Sequence, residues 1–271
     1  MVGKETALVD MGYRSSAEGI IRDLASKRYE VDYLLPTHIH LDHCGSCGTL
    51  AKKFPDAKIM VHPVGQKHLI DPSLLIKSVS DLFGNDLMKQ FGMPEQIQSE
   101  RVRIVNDQEQ IDLGNGIGLR AIWTPGHASH HLSYLIESTG TLFTGDAVGA
   151  FFPEVPVLVP TSPPPSFNLE KTLSSLERIE KLNPRYLYTP HFGVLENPQR
   201  WLKENREVLN EWKTVIEDSL ELGKSIELIT KELTDTIAMK LSKTSEELPD
   251  HFKTSLKINV LGFARWLQYA P

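Results

Sequence analysis

The sequence predicts an α/β fold of stacked helix and sheet layers that ends in a helical tail. Three observations point there. Short apolar runs alternate with segments of helical periodicity from Thr6 to Val61, the pattern of helices laid on a sheet. From Arg101 to Thr144 the pattern changes to short strands separated by turn residues. From Pro198 onward helical periodicity runs to the end. The 271 residues are 40% hydrophobic and 24% charged, enough for a large packed core and close to the globular average. At ~150 residues per domain this is one large domain, or one domain with an appendage.

Each element has its own local reason. Thr6 to Val9 is a short apolar strand that runs into a turn at Asp10-Met11-Gly12. Ser15 and Ser16 can cap a helix in which Ile20, Ile21 and Leu24 share a face up to Lys27. Tyr33-Leu34-Leu35 is an unbroken apolar run closed by Pro36, as in a strand covered on both faces. Leu50 to Phe54 is helical and Lys58 to Val61 is a strand, while residues 63–98 are helical and loop-like. Candidate strands then follow at Arg103–Val105, Glu109–Asp112, Gly118–Trp123, Leu132–Ile136 and Thr141–Thr144. Turns at Asn115-Gly116 and Ser138-Thr139-Gly140 separate some of them. Gly114, Gly116 and Gly118 mimic a nucleotide-loop spacing, but no helix follows, so a hairpin turn is expected. Residues 150–167 hold six prolines and read as an extended loop, either a lid or a stiff surface connector. Leu169, Leu173, Leu176, Ile179 and Leu182 mark one face of a helix. Tyr186 to Thr189 is a strand, and three or four helices complete the chain.

Composition excludes several classes of function. Lys and Arg number 29 against 35 Asp and Glu, a net charge of −6. Such a chain has no overall attraction to phosphate backbones, so no nucleic-acid partner is expected. Cys44 and Cys47 are the only cysteines; no disulfide framework can be built, which fits a reducing cytoplasm. No run of ~18 apolar residues suggests a membrane span, and Met1 to Glu5 lacks the apolar stretch of a signal peptide.

Histidine is the compositional oddity. The segment Thr37-His38-Ile39-His40-Leu41-Asp42-His43 places four ligand-type side chains directly after a predicted buried strand. Imidazole and carboxylate suit zinc and other divalent first-row metals, and one ion needs only three or four of them. Further candidates stand at three other strand ends: His127 after Trp123-Thr124-Pro125-Gly126, Asp146 after Phe143-Thr144-Gly145, and His191 after Tyr188-Thr189-Pro190. Open α/β sheets collect ligands at strand ends. Four donors in one segment with three more elsewhere raise the prospect of two metals sharing the segment.

An HxHxDH segment, then a GH, then a GD, then a final His resembles the metallo-β-lactamase superfamily of metallohydrolases. The resemblance spans about Thr6 to Val194 and includes Val9-Asp10-Met11-Gly12 as the early strand turn. It implies a four-layered αβ/βα sandwich, with residues 1–197 as the catalytic domain and residues 198–271 as a helical C-terminal extension. By position in the motif, it assigns His38, His40 and His127 to a first metal and Asp42, His43 and His191 to a second, with Asp146 bridging. It also makes Asp10 an acceptor that orients a ligand imidazole. True β-lactamases differ at the Asp146 position, and diiron oxygen reductases usually carry Glu where this chain has His40.

The implied chemistry is hydrolysis. Two divalent ions ~3.5–4 Å apart share one water and lower its pKa to near neutrality, and the resulting hydroxide attacks a carbonyl or phosphoryl centre. Asp42 is the expected catalytic carboxylate, as ligand and proton acceptor. Two ions are expected, zinc foremost, with iron or manganese as alternatives. The leading substrate class is a small ester, thioester or lactone. Phosphodiester hydrolysis is the next reading; against it stand the net charge and the 45-residue separation of Asp146 and His191, too short for the large insert of the RNA-cleaving branch. A mononuclear iron oxygenase resembling persulfide dioxygenases is the third. An interaction module with a vestigial site is the non-enzymatic alternative.

The remaining signals have plainer readings. Phe151, Phe152 and Phe192 stand close in sequence to Asp146 and His191, and they line the substrate side of a cleft or pack in the core. Cys44 and Cys47 form a CxxC; buried packing is preferred over redox chemistry. His131 is expected beside the ligands or in a structural role, and the role of His130 is open. His62, His68 and His251 are ordinary. In the tail, Trp201, Leu202, Val208, Leu209, Trp212, Val215 and Ile216 fall near helical spacing, which core docking or a homo-oligomer contact would explain.

Overall fold

A computed structural model describes residues 3–191 and 193–269. The chain divides into two compact units, Met1–Trp123 with His130–Gly145, and Thr124–Ser129 with Asp146–Pro271.

The first unit contains two sheets. One is parallel and follows sequence order: β1 (Ala7–Val9), β2 (Tyr33–Leu35), β3 (Lys58–Val61) and β4 (Val102–Ile104). Its register pairs Leu8 with Leu34 and Leu34 with Ile59. In the other, β5 (Gln110–Asp112), β6 (Gly118–Trp123), β7 (Leu132–Ile136) and β8 (Thr141–Phe143) pair in order, each antiparallel to the next. Side-chain alternation along β2 decides the layering. Tyr33 and Leu35 join Met60, Leu119, Leu132 and Tyr134 in the core between the sheets. Leu34 points the other way, into a second core with Ile59, Leu24 and Leu50. Leu24 belongs to α1 (Ala17–Ser26) and Leu50 to α3 (Cys47–Lys53), so helices cover the outer face of the parallel sheet.

The strand ends expected from sequence are met to within a residue or two, with β2, β3, β6 and β7 as read. Residues 63–98 resolve into α4 (Gln66–Ile70), α5 (Ser73–Phe83) and α6 (Asn85–Phe91) before an irregular stretch. The glycines between β5 and β6 form a hairpin connection, as expected. One local expectation changes. Ser16 stands at the cap position of α1 without a side-chain capping bond, because a 3-10 turn over Arg14–Ser16 feeds the helix directly. The His-rich segment ends in a helical turn, α2 (Leu41–Cys44), that carries Asp42 and His43.

The second unit is mainly helical. α7 (Leu169–Leu182) has the bounds read from its apolar face, with Asn168 accepting from the Lys171 N–H as its cap. β11 (Tyr186–Thr189) pairs antiparallel with β12 (Gly193–Leu195), a strand too short to read in the sequence. The tail forms three helices: α8 (Pro198–Glu221), α9 (Ile226–Lys240) and α10 (Asp250–Tyr269). Leu202, Leu209, Trp212 and Ile216 of α8 are buried, the core-docking outcome. The proline-rich segment is a hairpin at its start rather than loop throughout: β9 (Ala150–Phe152) pairs with β10 (Val157–Val159). Pro153 and Pro156 fall between the paired residues, so neither removes a needed donor. No helix among the described residues is long and apolar enough to cross a membrane.

Candidate metal centre

Four of the seven predicted ligands stand in the first unit, where β2 delivers the chain into Thr37 and His38. His38 and His43 are fully buried, while His40 and Asp42 are partly exposed. His38 Nε2 lies 2.9 Å from His40 Nδ1, and the His38 and His43 rings approach to 4.0 Å between centroids. Asp42 Oδ2 lies 3.4 Å from His43 Nε2. Imidazoles so crowded and so buried are costly unless each polar nitrogen has a partner.

Asp10 supplies the order. It leaves β1 in the left-handed region, at φ 51°, a conformation Asp adopts more readily than most residues. Its Oδ1 accepts from the Thr37 N–H at 2.7 Å, and its Oδ2 faces both the Thr37 hydroxyl at 3.0 Å and His43 Nδ1 at 2.9 Å. A carboxylate at neutral pH only accepts, so His43 Nδ1 carries the proton and Nε2 keeps its lone pair. The Thr37 hydroxyl proton goes to Asp10, so its oxygen accepts from His38 Nδ1 at 3.0 Å. His38 Nε2 is thereby also left with its lone pair. One carboxylate sets two imidazole tautomers, the expected companion of metal-ligating histidines.

The other three predicted ligands stand in the second unit. His127 sits in the short segment Thr124–Ser129, which the start of α7 grips. Asn168 N–H donates to the Gly126 carbonyl at 2.8 Å and the Ser175 hydroxyl to the Pro125 carbonyl at 2.6 Å. Gly126 is required there: its φ is +141°, and a Cβ would overlap Thr172. Asp146 is 6% exposed and turns one oxygen to each of two imidazoles. Oδ2 lies 3.5 Å from His127 Nε2 and Oδ1 lies 3.3 Å from His191 Nε2. His127 Nδ1 donates to the Thr161 carbonyl at 3.0 Å, which leaves Nε2 with its lone pair.

These separations suit a metal. Two ligand atoms ~2.0–2.1 Å from a tetrahedral zinc stand about 3.3–3.4 Å apart. The Asp42–His43, Asp146–His127 and Asp146–His191 pairs lie at 3.4, 3.5 and 3.3 Å, and the donors are the nitrogen and oxygen types that zinc and its neighbours accept. All seven predicted residues belong to groups of His and Asp side chains that could hold a metal ion.

The other singled-out residues have contacts of their own. His130 is buried, and its Nε2 accepts from the Ile39 N–H at 3.2 Å, which pins the backbone between His38 and His40. His131 is fully buried against Gly145, where a Cβ would collide with its ring. Cys44 and Cys47 are buried free thiols, and burial above all pushes both pKa values up, so neither is a thiolate at neutral pH. The Cys44 thiol donates to the Ile39 carbonyl at 3.1 Å. Phe151 packs edge-on to Trp201 and Phe152 edge-on to Phe252, with centroids 5.3 and 5.1 Å apart. Phe192 lies outside the described residues. The sequence motifs do not single out Thr37 as a tautomer relay, although its position beside His38 is a usable signal. Thr161 has no such signal, since only the folded chain brings it to His127.

The family model of the metallo-beta-lactamase superfamily matches residues 2–191. The metallo-beta-lactamase fold-containing protein ST1585 of Sulfurisphaera tokodaii is 33% identical over 195 residues, 71% of this chain and 70% of that protein. A solved structure of ST1585, from Sulfolobus tokodaii, superposes with a TM-score of 0.70 at 26% identity, covering 97% of this chain and 90% of that one. An atrochrysone carboxyl ACP thioesterase of Aspergillus fumigatus is 26% identical over 207 residues, 74% of this chain and 52% of that protein. With its sheets, its donor set and these relatives, the chain belongs to the metallo-beta-lactamase superfamily of metallohydrolases.

Proposed function

We propose that this protein is a dinuclear metal-dependent hydrolase that acts on a small ester, thioester or lactone. The observation that carries the reading is Asp146, a buried carboxylate with one oxygen facing His127 and the other facing His191. A carboxylate so placed suits a bridge between two ions. His38, His40 and His127 would hold the first, and Asp42, His43 and His191 the second. Zinc is the expected metal, with iron or manganese as alternatives. When bound, such a pair lowers the pKa of a shared water and polarises the scissile carbonyl.

The chain's own residues do the rest. Asp10 and Thr37 keep the His38 and His43 Nε2 lone pairs available. Asp42 is 28% exposed, the accessible carboxylate of its segment, and its Oδ1, rather than the Oδ2 beside His43, can take a proton from attacking water. His191, 37% exposed, stands where a substrate can reach it. The thioesterase relative supports an acyl rather than a phosphoryl substrate, as does the net charge of −6.

Elemental analysis of purified protein, paired with a panel of esters, thioesters, lactones and phosphodiesters, tests the reading. Two metals per chain and turnover of an acyl substrate are expected, with Asp146→Ala losing metal and activity together. A variant that keeps wild-type metal and rate removes the bridging role. Turnover of phosphodiesters alone, or one iron per chain with oxygen consumption, would move the function to the corresponding alternative.

A further inference from the structure

We infer that Asn259, on α10 of the C-terminal extension, is a positioning residue for the ligands His127 and Asp146. The inference rests on the metal reading of those two residues and adds a dependence outside the segment that the family model matches, residues 2–191.

The connection runs through Thr161 and Ser162. The Thr161 carbonyl accepts from His127 Nδ1 at 3.0 Å, and its hydroxyl donates to the Asp146 carbonyl at 2.6 Å. One residue thus touches two predicted ligands. Yet residues 160–163 belong to neither helix nor strand, so no ladder of backbone bonds holds them. What holds them is α10. Asn259 Oδ1 accepts from the Ser162 N–H at 2.6 Å. The Ser162 hydroxyl donates to the Asn259 carbonyl at 3.1 Å and lies 3.4 Å from Oδ1. Asn259 Nδ2 donates to the Ser255 hydroxyl at 3.4 Å, which fixes the amide with its oxygen toward Ser162. Ser162 is fully buried and Asn259 is 6% exposed, so water cannot replace these bonds. Gly262, one turn further, lets the helix backbone rest on the Ser162 carbonyl; a Cβ there would overlap it.

Removing the Asn259 acceptor strands a buried N–H, and residues 161–163 must move to relieve it. The Thr161 carbonyl then leaves His127 Nδ1, and the tautomer that presents Nε2 is no longer enforced. Loss of such outer partners typically weakens metal affinity ~10–100-fold, and about tenfold, the low end, is expected for a residue acting through Ser162 and Thr161.

The test uses the full chain, stripped and refilled with Zn²⁺ under chelator competition, with Co²⁺ absorption as a second readout. Asn259→Ala is expected to bind Zn²⁺ about tenfold more weakly and to alter the Co²⁺ spectrum. Asn259→Asp keeps an acceptor for the Ser162 N–H and is expected to recover most of the affinity. Leu256→Ala, a core truncation on the same helix, is expected to lower the melting temperature with the affinity and spectrum unchanged. Should Asn259→Ala fail to fold, Gly262→Ala displaces the same contact by a steric route. Wild-type affinity in Asn259→Ala, no recovery in Asn259→Asp, or equal weakening in Leu256→Ala would each overturn the positioning role. A wild-type chain that takes up neither ion overturns the metal reading itself, which separates the two failures.

Discussion

Asp10 shows how much of a predicted metal centre rests on one residue outside its ligand set. Its two oxygens accept from a backbone amide, a hydroxyl and an imidazole. Its negative charge makes it an obligate acceptor, and that property sets both tautomers. Asp10→Asn tests the point cleanly, because Asn also tolerates φ 51° and is nearly isosteric. An amide presents a donor on one side, so His43 Nδ1 or Thr37 loses its acceptor. The expected result is a ~10–100-fold loss of Zn²⁺ affinity with the fold retained, read by chelator competition and circular dichroism. Unchanged affinity would mean that the imidazoles orient themselves without Asp10. At this scale the sequence was informative where chemistry is local. His38, His40, Asp42 and His43 announce themselves by spacing, and Asp10 by its place at the end of the first strand. Thr161 and Asn259 do not, because their contacts span 34 and 97 residues.

At the scale of elements, legibility followed confinement. β2 is closed by Pro36, and β6 and β7 are flanked by turn residues, so their limits could be read. The β9–β10 hairpin was hidden by its prolines, which suggest loop although the paired residues on either side of Pro153 and Pro156 are mostly β-favouring. The region after α6 shows what else pattern reading misses. Residues 92–98 form no element, yet Glu95 ties them to two others. It accepts from Lys52 at 2.7 Å, Arg14 at 3.1 Å and Thr49 at 3.1 Å. The Lys52 ammonium above all, then Arg14 and Thr49, hold its pKa below the ordinary carboxylate value. A depressed folded pKa means the stabilisation is complete above the unfolded value of about 4.3 and is lost as pH falls through the folded value. Glu95→Gln should therefore cost up to about 1 kcal/mol at pH 7, given the partial exposure. Urea titrations of both proteins should converge as the pH falls below the folded value. A gap that persists there would assign the effect to packing rather than charge.

At the scale of the whole molecule, the seven predicted ligands span residues 38 to 191, so no stretch of unfolded chain can present them together. A metal that needs all of them binds the folded state almost alone, and its binding free energy becomes folding free energy. At a free Zn²⁺ concentration 100 times the dissociation constant the gain is about 2.7 kcal/mol. For a chain of this size each kcal/mol moves the melting temperature by about 2–4 °C, so metal-stripped protein should melt roughly 5–10 °C lower than zinc-loaded protein. Thermal melts across a zinc titration check this, with Mg²⁺ as the control, since nitrogen-rich donor sets disfavour it. The Asp146→Ala chain should show a smaller shift, because one carboxylate serves both predicted ions. Only the four donors of residues 38–43 lie close enough in sequence for the unfolded chain to offer them jointly. A transition that does not respond to zinc would therefore mean that the donors act locally and that the fold gathers no common centre.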